Sequence, residues 1–233
     1  MKSLFSIVII CLLLVPLGVN AAAVEAESID TDKPNCKIWN EVPAKRETVS
    51  WSGECVKGYA SGYGTAIWSL NDKETQRYEG ILKKGKCAGI GTLTFANGNK
   101  YAGDFKNNKS TGNGTYTFAN GDKYEGSFVD SDFHGEGTLS FANGDKYEGS
   151  FVDSDFDGNG TLSFANGDKY EGDFVHDNFS GKGTYYYANG ERYKGGFADG
   201  NFQGKGTYTC SNYKEFKGNF ENGLPVGFVI KCN

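Results

Sequence analysis

The sequence has little of the chemistry that enzymes and metal-binding proteins rely on. It contains two histidines, His134 and His176, and neither lies beside a serine or cysteine in an arrangement typical of a nucleophile. No two of its 6 cysteines have the close spacing of metal ligands. We therefore expect a protein without catalytic residues, metal ions or cofactors.

Positive charge is also scarce. The chain carries 24 Lys and Arg against 29 Asp and Glu, which gives a formal net charge of −5. Nucleic acids and anionic membranes attract proteins with clustered Lys and Arg. Here lysines such as Lys146 are followed two positions later by glutamates such as Glu148, on the same strand face, so the charges offset each other. This balance excludes nucleic acid as a partner and argues against electrostatic attachment to a membrane.

Long apolar segments are confined to the N-terminus. Lys2, an apolar stretch over residues 4–17 and the small residues after it follow the layout of a secretory signal peptide. Cleavage is expected after Ala21 or Ala23. The stretch is shorter than the roughly 20 apolar residues of a spanning helix, although an uncleaved membrane anchor remains the alternative. We expect residues 1–23 to be removed from an exported protein, either periplasmic or secreted.

What the sequence has in abundance is one repeated unit. The pattern Tyr-Glu-Gly-x-Phe begins at Tyr124 and returns every 23 residues, at Tyr147 and Tyr170. A period of this length predicts an array of one supersecondary unit, in which each copy buries its apolar surface against its neighbours. The copies start near residues 51, 78, 101, 124, 147, 170, 193 and 216.

Each unit contains the signals of a β-hairpin. Its second half reads Gly-x-Gly-Thr, followed by an aromatic residue and then Asn-Gly, as in residues 135–144. Asn-Gly between two alternating runs is typical of a type I′ turn, because both residues accept a positive φ. Strand alternation places Tyr147 and Phe151 on one face, which we call the aromatic face. Glu148 and Ser150 lie on the opposite face, the polar face.

This pattern closely resembles the membrane occupation and recognition nexus (MORN) repeat, over about residues 51–232. The resemblance implies an all-β fold, an elongated single-layer antiparallel sheet of stacked 23-residue hairpins. About 16 strands spaced ~4.8 Å apart would extend roughly 75 Å. Members of the family serve as scaffolds, as dimerisation modules and as proposed lipid binders, so the resemblance implies an interaction protein.

The aromatic face provides the candidate binding residues. Aromatic rings can stack on sugars or accept an apolar partner, and apolar area that a single layer leaves uncovered commonly marks an interface. The same rings can instead form the core of a sheet that twists and curls. The candidates are Tyr124, Tyr147, Tyr170, Tyr193, Phe128, Phe151 and Phe174.

Cysteine usage fits an oxidising compartment. Cys36 and Cys55 flank the segment before the first repeat, and we predict a disulfide between them that links an N-terminal cap to the array. We predict a second disulfide between Cys210 and Cys232. Cys87 is then either a buried thiol or an intermolecular link.

These signals define the organisation and a function. Residues 1–23 form the signal peptide, residues 24–50 a mobile leader and the N-terminal cap, and residues 51–233 the repeat array. Because the repeats occupy most of the exported chain, no catalytic domain is expected. We predict a non-enzymatic scaffold that binds another protein or a second copy of itself. The alternative is a module that binds a glycan, an envelope polymer or a membrane lipid through the aromatic face.

Cleavage of the signal peptide gives the first testable prediction. We expect N-terminal sequencing of the protein from its native source to begin at Ala22 or Val24, since signal peptidases cut after small residues. An intact N-terminus on membrane-bound protein would contradict cleavage and support the anchor.

Overall fold

The computed structural model describes residues 27–41 and 44–232. The predicted signal peptide, residues 1–23, lies outside these residues. The described chain is all-β, as predicted, and none of it forms a helix long and apolar enough to span a bilayer. It forms two compact units, residues 27–132 and residues 133–232.

The described part of the first unit contains ten strands. They are β1 (Glu27–Asp30), β2 (Lys37–Asn40), β3 (Glu47–Trp51), β4 (Glu54–Val56), β5 (Tyr59–Leu70), β6 (Lys73–Lys83), β7 (Lys86–Phe95), β8 (Lys100–Lys106), β9 (Lys109–Thr117) and β10 (Lys123–Val129). From β5 onwards each strand pairs antiparallel with the next. β3 and β4 both pair with β5, and the β1–β2 hairpin joins β5 through one parallel bridge.

The second unit continues the repeat with nine strands in its described part. They are β11 (Asp132–Ser140), β12 (Lys146–Val152), β13 (Asp155–Ser163), β14 (Lys169–Val175), β15 (Asn178–Tyr186), β16 (Arg192–Ala198), β17 (Asn201–Thr209), β18 (Glu215–Glu221) and β19 (Leu224–Pro225). Each pairs antiparallel with the next. Leu139 lies opposite Tyr147, so the predicted hairpin register is confirmed. The expected open sheet of stacked hairpins is present in both units.

The turn predicted at Asn-Gly is wrong in type. Gly144 has a φ of 94°, but Asn143 does not have a positive φ. The Gly144 N–H donates to the Phe141 carbonyl, and the Phe141 N–H donates to the carbonyl of Asp145, both at 2.9 Å. This is a three-residue loop, in which a type I turn is followed by a left-handed glycine. Asn-Gly therefore marks the hairpin correctly, while only its glycine needs the left-handed conformation.

Turns with the type I′ conformation lie at the other end of the hairpins. Between β12 and β13, Asp153 and Ser154 have φ values of 49° and 74°. Val152 pairs with Asp155, so these two residues form the whole loop. A positive φ is uncommon outside glycine and asparagine-like residues. The Ser154 hydroxyl compensates by accepting the N–H of Phe133 from the preceding strand at 3.1 Å.

One glycine from almost every strand lines up across each sheet. Gly149 lies opposite both Gly137 and Gly160. A register shift after Gly149 marks a bulge, and bulges bend a strand and increase its twist. We call this line the glycine row. It comprises Gly64, Gly80, Gly91, Gly103, Gly114 and Gly126 in the first unit, and Gly137, Gly149, Gly160, Gly172, Gly183, Gly195, Gly206 and Gly218 in the second.

The tyrosine that begins each central repeat covers the glycine row. A β carbon on Gly160 would lie 2.5 Å from Cε2 of Tyr147, so the ring occupies the space that a side chain would need. The Tyr147 hydroxyl donates to the Ser150 carbonyl at 2.9 Å, three residues further on. In the divergent first copy the Trp51 indole N–H makes the equivalent bond to the Glu54 carbonyl at 2.8 Å. The tyrosines that repeat this bond are Tyr78, Tyr101, Tyr124, Tyr170 and Tyr193.

The described part of each unit contains one disulfide. Cys36 is bonded to Cys55, which confirms the predicted N-terminal cap. Cys210 is bonded to Cys232, as the sequence suggested, and this bond holds the C-terminal segment against the last hairpin. Cys87 is a thiol and is buried, which is the first of its two predicted alternatives.

Part of the segment expected to be a mobile leader is ordered. Glu27–Asp30 forms β1, which pairs along its whole length with β2. The neighbouring Asp32 carboxylate accepts the backbone N–H of Trp51 at 2.9 Å, so this region is tied to the start of the array. The cap therefore begins earlier than composition alone indicated.

The glycine row generates the second prediction. We expect Gly160→Ala to lower the free energy of unfolding by about 1–3 kcal/mol, because the added methyl group collides with the Tyr147 ring in a packed interior. Thr161→Ala, next along β13 but on the polar face, is the matched control and should change stability by less than about 1 kcal/mol. Thermal and urea unfolding followed by circular dichroism would measure both. Equal stability of the two variants would contradict the packing described here.

Candidate interaction surface

The seven rings that the sequence offered as a binding face are buried. Tyr147 and Tyr170 have no exposed surface, and Phe128 is 2% exposed. Burial also raises the pKa of the Tyr101 phenol, in the same repeat position, to about 12. The structure thus places the candidates in the interior and leaves them no area for a partner. The buried set is Tyr124, Tyr147, Tyr170, Tyr193, Phe128, Phe151 and Phe174.

Rings from two successive hairpins enclose each tyrosine. Tyr147 stacks on Phe156 with ring centroids 3.7 Å apart, and meets Phe151 and Phe174 edge-on at 5.1 Å and 5.0 Å. Such pairs contribute about 0.5–1.5 kcal/mol each beyond the area they bury. This packing is the physical reason why the aromatic face is a core. The stacking rings recur with the repeat period at Phe156, Phe179 and Phe202, and sequence reasoning did not single them out.

The polar face carries an open trough. Over β11–β13 the trough has a volume of about 650 Å³. Its floor is the backbone of the glycine row, whose side-chain positions point to the aromatic face and not into the trough. Polar side chains form the two walls. The lining residues are Glu136, Gly137, Thr138, Glu148, Gly149, Asn159, Gly160 and Thr161.

One wall of the trough changes from copy to copy. Its residue is the x of Gly-x-Gly-Thr, which lies between two glycines in every repeat, whereas the following threonine is retained. Tyr63 and Ile90 at this position are 67% and 75% exposed. Packing fixes the tyrosines and glycines but imposes nothing on an exposed side chain. We call these positions the variable wall: Tyr63, Ile90, Asn113, Glu136, Asn159, Lys182 and Lys205.

The variable wall was missed by sequence reasoning, although the sequence contains its signal. Repeats are recognised by the residues that their copies share, and these residues form the core. The x position is found only when the copies are compared for the residues that differ. The strand alternation then places it on the polar face.

Ion pairs keep the central repeats electrically balanced. The ammonium group of Lys146 lies 2.8 Å from the Glu148 carboxylate, and Lys123 lies 2.8 Å from Glu125. The predicted offsetting of these charges is confirmed. All four side chains are about half exposed, so each pair contributes no more than about 1 kcal/mol. The variable wall consequently sets the local charge of the trough.

Hydrogen bonds join the turn of one hairpin to the hairpin before it, and we call each such pair of bonds a clasp. The Asp177 carboxylate accepts the Phe156 N–H at 2.8 Å, and the Asp177 N–H donates to the Phe156 carbonyl at 3.1 Å. Partial burial raises the pKa of Asp177 to about 6, and the nearby Asp155 carboxylate adds to the effect. The Phe156 N–H and His176 act in the opposite direction but are outweighed. Asp177 thus stabilises the turn through its hydrogen bonds, while partial burial disfavours its charged form.

The described residues bring together one set of possible metal ligands, Glu191 with Cys210 and Cys232. Both cysteines are joined in a disulfide, so neither supplies a thiolate. The two histidines lie apart, His134 in β11 at 4.0 Å from Asp153 and His176 in the turn after β14 at 3.3 Å from Asp155. These contacts are surface pairs that become ion pairs when the histidines are protonated.

Comparison with known proteins identifies the repeat. The MORN repeat profile matches residues 78–100, 101–123, 124–146, 147–169, 170–192, 193–214 and 216–228. The chain therefore belongs to the MORN repeat family, and MORN repeats suggest a repeat scaffold. No match was found among curated proteins. Among solved structures, the chain is similar to the TCP domain of SAS-4 (dCPAP) of Drosophila melanogaster, solved in complex with a proline-rich motif of Ana2 (dSTIL). The identity is 12% and the TM-score 0.42, over 90% of this chain and 99% of that one.

The clasp at Asp177 generates a prediction about pH. Its pKa is about 6 in the folded chain and near 3.8 without the fold, so the folded state binds more protons between these values. Stability contributed by this group therefore falls as pH rises from about 4 to about 6 and stays low above that. We expect Asp177→Asn to stabilise the chain at pH 7.5 by on the order of 1 kcal/mol and to have little effect at pH 3.5.

The chain itself supplies the rationale and the control for this test. Asn108 occupies the same turn position and accepts the Cys87 N–H at 2.8 Å, so asparagine preserves the clasp. Asp199→Asn removes an exposed charge from the equivalent turn of the next repeat and controls for net charge. Thermal unfolding across this pH range would compare the variants with the native chain. A gain in stability from Asp177→Asn that is the same at every pH would contradict the raised pKa of Asp177.

Proposed function

We propose that the chain is an exported, non-enzymatic scaffold that binds an extended segment of another protein, or of a second copy of itself, along the trough of the polar face. The observation that carries this proposal is the variable wall. It is exposed, it borders a floor of bare backbone, and its residue changes in nearly every repeat while the core residues recur.

The shape of the trough favours an extended segment. Its floor crosses successive strands at one glycine each, so a partner lying along it meets a new pair of wall residues about every 4.8 Å. Threonine hydroxyls on the walls can bind a partner backbone, and the variable wall can select its side chains. Repeat proteins commonly use such continuous surfaces for binding.

Export is supported by the cysteines and by the leader sequence. Two disulfides lie in the described chain, at Cys36–Cys55 and Cys210–Cys232. Disulfides persist in oxidising compartments and are rare in reducing ones. The signal-peptide pattern over residues 1–23 favours the same localisation.

The alternative, a module that binds a glycan or a lipid, has no accessible candidate binding residues. It depended on the rings of the aromatic face, and these rings are packed against each other. The proposal of a non-enzymatic role is supported by the disulfide-bonded cysteines and by the separate positions of the two histidines. Self-association, where it occurs, would use the polar face, because the disulfide-linked C-terminal segment covers the last hairpin.

Site-directed photocrosslinking in the native host tests this proposal. We expect a photoreactive side chain at Asn159, on the variable wall, to give a defined protein adduct. The matched control is Asn166, an exposed residue of the same repeat that lies in the Asn-Gly loop away from the trough. Adducts at Asn159 alone would support the trough. The absence of adducts at Asn159, or identical adducts at both positions, would overturn it.

A further inference from the structure

The polar face becomes basic in the last two full hairpins. Lys182 and Lys205 occupy the variable wall in β15 and β17. On the opposite wall, Lys194 and Lys217 stand at the repeat position that carries a glutamate, such as Glu148, in earlier copies. The polar face of β15–β18 thus gains lysines without the glutamates that balance them in the central repeats, in a chain whose formal net charge is −5.

The four lysines border the glycine row on both sides. Lys182 and Lys205 lie on one side of the row, two strands apart. Lys194 and Lys217 lie on the other side, and both are opposite Thr207. Neighbouring strands are ~4.8 Å apart, so each pair of lysines is separated by roughly 10 Å at the backbone. We call this region, the polar face of β15–β18, the basic strip.

Within the described residues, three of these four lysines form no ion pair. Lys182, Lys194 and Lys205 are exposed, and no ion pair joins them to another residue within the described chain. Lys217 pairs with Glu215 at 2.9 Å. Like charges this close repel one another, so an incoming anion relieves their repulsion as well as attracting each lysine. This differs from the central repeats, where each lysine faces its own glutamate.

The strip is also more open than the same face in earlier copies. Gly196 stands where the preceding repeats carry Ser150 and Asp173. Asp173 is the last acidic side chain at this position. It accepts hydrogen bonds from the Asn159 amide and, at 2.9 Å, from the Lys182 backbone N–H, so it borders the strip on the side of β14. Its replacement by glycine removes both a side chain and a negative charge from the edge of the strip.

We propose that the basic strip binds an acidic, extended segment of a partner protein. This inference rests on the proposed function and names the chemistry of the partner. An extended segment lying on the glycine row places alternate side chains toward the two walls. Its carboxylates then form charge-assisted hydrogen bonds with Lys182 and Lys205 on one side and with Lys194 on the other.

The structure favours a peptide over a membrane surface as the anion. A bilayer-binding face combines basic residues with apolar side chains that enter the interface. The large apolar side chains that are exposed in the described second unit lie off the four strands of the strip. They are Val152, Val175, Tyr213, Leu224, Val226 and Val229.

A charge-reversal experiment tests the basic strip. The probe is a fluorescent peptide of alternating Glu and Ser, and its anisotropy is measured with the whole chain lacking residues 1–23. We expect binding that weakens with salt, because exposed charges are screened. Lys194→Glu combined with Lys205→Glu should reduce affinity by at least about tenfold, since each lysine near an anionic surface contributes about fivefold.

A matched variant controls for net charge. Lys123→Glu combined with Lys146→Glu makes the same change in total charge on the polar face of the central repeats, and should alter affinity by less than about twofold. A gain-of-function variant extends the strip by one repeat. Asn159→Lys combined with Glu171→Lys should strengthen binding several-fold, while thermal unfolding shows that each variant is folded.

The outcomes separate this inference from the proposed function. Peptide binding lost only in the strip variant supports the inference. No binding, or equal loss in the strip and control variants, overturns it. Vesicles of anionic lipid or a sulfated polysaccharide that bind the strip when the peptide does not would also overturn it, in favour of that anion. If the peptide does not bind while crosslinks persist at Asn159, the proposed scaffold function is retained and only the acidic partner is rejected.

Discussion

The contact on which the structure depends is a tyrosine ring lying on bare backbone. Each ring covers two glycines, one on its own strand and one on the next, at distances that leave no room for a β carbon. A glycine in a strand costs about 0.5–1 kcal/mol of stability relative to alanine. The ring contacts and the phenol hydrogen bond to the carbonyl three residues on offset that cost in the copies that begin with tyrosine. With any larger residue at these positions, the rings could not pack against the backbone.

This contact also decides which face is free. Because the rings fold down over the glycine row and stack on rings of the next hairpin, the aromatic face becomes an interior. On the polar face the backbone of the same row forms the floor of the trough, because the side-chain positions of this row point to the aromatic face. The core and the trough therefore lie on the two sides of one row of backbone. A repeat that must keep Tyr147 and Gly149 for stability remains free to change Glu136 or Asn159 for recognition, because those side chains only form a wall.

The sequence predicts the fold well because the fold is periodic. The 23-residue spacing and the alternation around Tyr147 predict stacked antiparallel hairpins, and cysteine placement predicts Cys36–Cys55. It predicts less where geometry depends on a neighbour. Asn-Gly has the composition of a type I′ turn, but the flanking Phe141 and Asp145 close a larger loop. Burial of the rings could not be read from alternation, since alternation separates two faces without saying which is covered. The aromatic face is the covered one because rings from the following strand, such as Phe156, pack on its tyrosines.

The central claim is that the aromatic face is a sealed core while tyrosines elsewhere are open to solvent. Nitration of the folded chain by tetranitromethane, mapped by mass spectrometry, tests it most directly. The account predicts rapid nitration of Tyr63 and Tyr213, which are 67% and 85% exposed. It predicts protection of Tyr124, Tyr147, Tyr170 and Tyr193 until the chain unfolds. Nitration of these four at the rate of Tyr213 in the folded chain would contradict it.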